Sequence, residues 1–203
     1  MSSEISTSET SEVNESTETN IESDNYSPEE ETEYQERVDD VESNLDNSKS
    51  DGENSVGDIK ENSPYSDEIN NYVSSKEELD VYKNANLHEE VYGDPPKHAL
   101  VRSDIELHGV CDHKGRDNAQ RMAEGLSPMT EDGDIIELHH IGQKEDSPLA
   151  ELTRDEHRGV GNDNVLHDKT KTSEIDRDDF NKERSDYWID RGAALEYIED
   201  GDY

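Results

Sequence analysis

The sequence predicts a small α+β domain set behind a long, disordered acidic tail that occupies residues 1–80, with the domain over 81–203. Three observations predict it. The charge is uneven: 19 Lys+Arg stand against 55 Asp+Glu, a net of −36, and residues 1–90 hold 27 of the acids with only 5 of the bases. Only 27% of the chain is apolar, too little to offset the entropy of ordering its whole length. After about Lys76 short strand-like runs and capped helical segments alternate, a mixed pattern that suits one small domain.

The opening segment, Met1-Ser-Ser-Glu-Ile-Ser-Thr-Ser-Glu-Thr, continues in Ser, Thr, Glu, Asn and Asp with isolated apolar residues and no helical or strand period. The plain reading is a disordered acidic tail; a secondary reading laid over it is that the tail mimics a polyanion, occupying a basic groove or recruiting a partner. It lacks the basic start and apolar run of a signal peptide, and no stretch approaches the roughly 20 apolar residues of a membrane span. The expectation is a protein made in the cytoplasm, with any export by a non-classical route. A lone cysteine, Cys111, excludes an internal disulfide framework and a multi-Cys zinc ribbon.

Within the domain, Pro95-Pro96 makes a stiff extended entry to a short strand, His98-Ala-Leu-Val-Arg102. Asp117 caps a helix over 118–124 that places Ala119, Met122, Ala123 and Leu126 on one side, and Gly125 and Pro128 end it. Glu131-Asp132-Gly133 is a turn into the β-like run Ile135–His140. Thr153-Arg-Asp-Glu156 fits a capping box, which puts His157 in the first turns of a helix that Gly159-Val-Gly161 interrupts. From Ser173 to Ile198 the chain reads as helix, with Ile175, Phe180, Tyr187, Trp188, Leu195 and Ile198 on a loose 3.6-period face.

Four of the eight histidines, His139, His140, His157 and His167, fall within residues 139–167. A strand, a loop and a short helix can gather such residues around one divalent cation, for which imidazole is a good ligand. Consecutive strand residues point to opposite faces, so one of His139 and His140 can bind metal while the other stands free. A free histidine near neutrality suits proton abstraction from water, and with a metal on the phosphate this suffices for phosphodiester hydrolysis. Scattered cap and surface histidines are the competing reading of the same spacing.

The ordered segments Ile136-Glu-Leu-His-His-Ile-Gly-Gln143, Ser147-Pro-Leu-Ala-Glu-Leu-Thr153, Glu156-His-Arg-Gly159, Gly161-Asn162 and Leu166-His167 resemble the LHH-type nucleases of the HNH/endonuclease VII superfamily, found as toxin domains of bacterial polymorphic toxins. The resemblance extends through Lys114–Asn118 and Phe180–Arg184 to Trp188, and covers about Val81 to Ile198. It implies a ββα-metal fold and a divalent cation, Mg, Mn, Ni or Zn. It further implies His139 and His167 as metal ligands and His140 as the general base. His157 is then a ligand or a transition-state stabiliser, and Asn162 or Asn164 the residue that hydrogen-bonds to hold the loop. The implied partners are a DNA substrate and a cognate immunity protein; nothing specifies an oligomeric state.

Arg158 follows His157 and either meets the phosphate or pairs with a neighbouring acid. Lys114, Arg116 and Arg121 form a second basic patch or balance local acids. His88, His98, His108 and His113 read as structural. The surplus of acid argues against gripping nucleic acid by bulk charge, so binding is expected to be weak, salt-sensitive and metal-dependent. The alternative to an endonuclease is a non-catalytic acidic interaction protein or a nucleic-acid mimic.

Overall fold

A computed structural model describes residues 56–170 and 174–200. Three short helices come first: α1 (Val56–Asn62), α2 (Asp67–Asn70) and α3 (Lys76–Asn84). Strands β1 (His88–Tyr92) and β2 (Lys97–Val101) follow, then α4 (Asn118–Ala123), β3 (Ile136–His140) and β4 (Leu149–Thr153). The chain continues through α5 (Arg154–Arg158) and α6 (Asn162–Leu166) to the long α7 (Arg177–Asp200).

The four strands form one sheet in the order β1-β2-β4-β3, parallel between β2 and β4 and otherwise antiparallel. Strand periodicity divides the core between its two faces. Leu100, Ala150 and Leu152 pack with Ile59, Ile69, Leu79 and Tyr82 of the N-terminal helices. Ala99, Val101 and Leu149 pack on the other face with Met122 of α4 and Tyr187 and Trp188 of α7. The result is an α+β sandwich of helices, sheet and helices.

The expected tail therefore ends too late. Residues 56–80 are folded onto the sheet, with Ile69 and Leu79 fully buried. Ser75 caps α3 by accepting from the Glu78 amide, and Glu78 is itself buried, accepting from the Tyr82 hydroxyl and the Gly142 amide. Isolated apolar residues in an acidic run each find a place in a shared core, which no local period announces. The disorder expected for residues 1–55 lies outside the described residues.

Other expectations hold with adjustments. Asp117 and Thr153 both make full capping boxes, with Gln120 and Glu156 as their partners. On α4, Ala123 faces solvent and Arg121 is buried instead, donating to the Ser127 carbonyl and Asp112. With Arg116 on the same Asp112, these two arginines serve the structure rather than forming a free basic patch. The last helix begins at Arg177 rather than Ser173, and Ile198 is exposed. Strands β1 and β4 carried no strand signal. In β4 even Glu151 is fully buried, bonded to the Tyr187 hydroxyl and Arg191, so a central strand covered on both faces shows no alternation.

Candidate active site

Strands β3 and β4 form an antiparallel pair, and α5 follows β4 at once through the Thr153 cap. This is a ββα unit. His139 opposes Ala150 in the register and so shares the face that packs on the N-terminal helices. His157 reaches the same place from α5, and His167 from the residue that ends α6. The α5–α6 turn is tight: a Cβ at Gly159 would lie 2.2 Å from the Asp155 carbonyl oxygen, so only glycine permits it. Gly142, just beyond β3, has φ +68° and would put a Cβ 2.2 Å from the Tyr72 carbonyl oxygen, which ties the end of β3 to the N-terminal layer.

The three rings converge. His139 Nδ1 lies 3.2 Å from His157 Nε2, which lies 3.2 Å from His167 Nε2. The far side of two of the rings is already held. His157 Nδ1 meets Glu137 Oε2 at 2.7 Å, and His167 Nδ1 meets the carbonyl oxygen and Oδ1 of Asp163 at 3.1 and 2.9 Å. These oxygens only accept, so both Nδ1 atoms carry a hydrogen, which leaves the two Nε2 atoms facing each other. Two lone pairs facing each other at that distance repel unless a cation lies between them. Burial, then the charges of His157 and His167, push the His139 imidazole well below its ordinary range, and burial followed by His157 lowers His167. Both rings are therefore neutral near pH 7, as ligands must be.

The donor set fits a divalent cation. Two nitrogens bound at ~2.05 Å to a tetrahedral ion stand ~3.3 Å apart; the His139–His157 and His157–His167 separations are 3.2 Å, and all three ligand atoms lie within 4.8 Å of one another. Carboxylates holding the outer nitrogens are the usual support for histidine ligands. Glu137 stays ionised for this: burial raises it, but the His157 bond and the charges of Arg158 and Arg154 prevail.

His140 takes the opposite face of the sheet, as neighbours on a strand must. It is not free, however: it is 5% exposed, its Nε2 lies 3.0 Å from Glu183 Oε2, and its ring is 4.7 Å from that of Phe180. Helix α7 supplies both contacts. A cleft of about 360 Å³ nonetheless reaches His140 together with His139, His157 and His167, and Arg158, Lys169 and Arg177 border it. On the other side of His140 a cleft of about 470 Å³ is lined by Asp94, Glu145, Asp176, Asp179, Asp186 and Asp190. A phosphodiester is favoured by the first and repelled by the second.

Residues 117–193 match the model of a family described as LHH, a nuclease of the HNH/ENDO VII superfamily with conserved LHH. Leu138-His139-His140 stands in that segment as the motif. The chain carries an LHH-family nuclease domain. The LHH domain is thus a phosphodiester hydrolase, and nucleic acid is its substrate class. The match begins at the cap of α4 and ends within α7, narrower than the resemblance read from Val81 to Ile198. No curated protein and no solved structure matches the chain significantly.

Neither asparagine borders the cleft. Asn162 Nδ2 donates to the Glu156 carbonyl at 3.0 Å, bracing α6 against α5, whereas Asn164 is exposed. Arg158 borders the cleft and donates to Glu137 at 3.0 Å, so the expected pairing with a neighbouring acid is present. His88, His98 and His108 each meet a carboxylate away from this site. Sequence reasoning assigned no site role to Glu137, Asp163, Lys169, Arg177 or Glu183, and placed Phe180 only on the apolar face of the last helix. For Glu137 a signal existed, since it lies two residues before His139 on the same strand face.

Proposed function

We propose that the LHH domain is a metal-dependent endonuclease that hydrolyses phosphodiester bonds in DNA. The observation that carries this reading is the placement of His140 in the same cleft as three histidines whose ring nitrogens lie within 4.8 Å of one another. His139, His157 and His167 hold the cation. When bound it supplies a Lewis acid for a phosphate oxygen. His140 removes a proton from the attacking water; its Nε2 is bonded to Glu183, so the lone pair available for this lies on Nδ1. Arg158, Lys169 and Arg177 hold the flanking phosphates by charge, and Asn162 braces the turn that presents His157. With three ligand positions assigned, His157 acts as a ligand rather than as a separate transition-state stabiliser.

The role of a toxin effector neutralised by a cognate immunity protein accords with the LHH resemblance and is part of the same reading. None of the helices is long and apolar enough to cross a membrane among the described residues.

The test is incubation of the protein with supercoiled plasmid, and separately with a structured RNA, in Mg²⁺, Mn²⁺, Ni²⁺ or Zn²⁺ and in EDTA. Nicking of the plasmid that EDTA abolishes supports the reading. Cleavage of RNA alone would redirect the substrate, and plasmid nicking that persists in EDTA would contradict the metal dependence.

A further inference from the structure

We propose that Glu183 is a positioning residue for His140: one carboxylate on α7 fixes the tautomer and the orientation of the ring that abstracts the proton. The inference rests on the reading of His140 as the general base. Glu183 Oε2 lies 3.0 Å from His140 Nε2, and its Oε1 lies 2.8 Å from Lys97 Nζ. Both oxygens are therefore occupied, one by β3 and one by the start of β2, and the carboxylate cannot swing away without losing an ion pair.

An ionised carboxylate only accepts. The hydrogen of the neutral imidazole is consequently held on Nε2, and the basic lone pair is confined to Nδ1. An unanchored imidazole would divide itself between two tautomers and rotate. Phe180 lies one turn before Glu183 on α7, with its ring 4.7 Å from that of His140. It closes one side of the imidazole while Glu183 closes the end. The side chain of His140 is 4% exposed and that of Glu183 24%, so water competes weakly for the bond.

The arrangement follows from the register. His140 opposes Leu149, whose face packs against α7, whereas His139 opposes Ala150 and turns towards the ligand cluster. Separate carboxylates serve the two faces: Glu137 and Asp163 hold the His157 and His167 rings that cluster with His139, and Glu183 holds His140. The two systems are on opposite faces of one strand and share no residue, which makes them separable by substitution.

The experiment uses the full chain, with uniform ¹⁵N labelling and two-bond ¹H–¹⁵N correlation spectra of the histidine rings. The signals of His140 are assigned by their loss in His140→Ala. Nicking of supercoiled plasmid in Mn²⁺ is followed in parallel as kcat and KM. The wild-type ring of His140 shows the Nε2-protonated pattern. In Glu183→Ala that pattern gives way to a tautomer mixture, and kcat falls by about 100-fold, the scale set by loss of reactive geometry, while KM and Mn²⁺ affinity stay as in wild type. Glu183→Gln keeps one acceptor oxygen and recovers the ring pattern and most of kcat.

A wild-type kcat in Glu183→Ala, alongside an inactive His140→Ala, overturns the positioning role and leaves the base intact. Wild-type nicking by His140→Ala removes the base itself, and this proposal with it. A Gln variant with the wild-type ring pattern but a kcat as low as that of the Ala variant also contradicts positioning.

Discussion

The Nε2 atoms of His157 and His167 lie 3.2 Å apart, and the opposite nitrogen of each ring is already engaged, by Glu137 and by Asp163. With His139 Nδ1 completing the set, the protein has brought three imidazoles together and oriented two of them through carboxylates. Removing one ring leaves too few nitrogens to hold an ion tightly. His157→Ala and His167→Ala are each expected to abolish stoichiometric binding of Mn²⁺ or Zn²⁺ in calorimetric titration. Glu137→Ala keeps all three ligands but frees the His157 ring, and its affinity should fall by about 10- to 100-fold.

The same cluster makes the metal-free protein acid-sensitive. His139 and His167 have folded-state values below the ordinary 6.5, so below pH 6.5 the unfolded chain binds more protons than the folded one. Stability must therefore fall as pH drops from about 6.5 towards the folded values. Carboxylates such as Glu137 and Glu183, held below 4.5, add their own loss only at lower pH. Thermal unfolding between pH 7.5 and 5 is expected to show Tm decreasing with acid in wild type, and a flatter profile in His139→Leu.

The basic border of the 360 Å³ cleft predicts a salt-dependent contact. Arg177 stands there at the start of α7, exposed to solvent. Arg177→Ala should weaken DNA binding evenly across sequences and reduce the slope of log K against log salt by about 0.9, the value for one phosphate contact. Fluorescence anisotropy over a salt series measures it.

The N-terminal helices are expected to be part of the folding unit. Ile69 is fully buried against the sheet side that carries His139. Truncating it removes buried methylenes and leaves a cavity, so Ile69→Ala should cost about 2–5 kcal/mol in urea unfolding. A variant with unchanged stability would show that residues 56–80 are dispensable to the domain.

The local devices of this fold were legible because they are short-range. Asp117 and Thr153 announce their helices through partners three residues on, and the run to His140 reads as a strand with two histidines at its end. The spacing of the histidines in residues 139–167 already suggests a shared cation, and the resemblance singles out His139 and His167 as ligands with His157 as a ligand or stabiliser. What escaped was decided at long range. Ile59, Ile69 and Val73 are single apolar residues among acids, meaningful only once β2 and β4 provide a common core. The burial of His140 depends on Phe180 and Glu183, some forty residues later, and no spacing within the LHH motif encodes it. Net charge was misleading for a related reason: at the cleft Arg158, Lys169 and Arg177 are gathered locally, while much of the acid of α7 faces the other side of His140.

In the proposed mechanism His140 performs the proton abstraction while three other histidines hold the cation. This division of roles is tested most directly by the plasmid-nicking rate of His140→Ala at saturating Mn²⁺, with Mn²⁺ binding measured on the same sample. The account predicts unchanged metal affinity with a rate lowered by about 10²- to 10⁴-fold, the range of a general base. Nicking at the wild-type rate by a metal-loaded His140→Ala protein would contradict it.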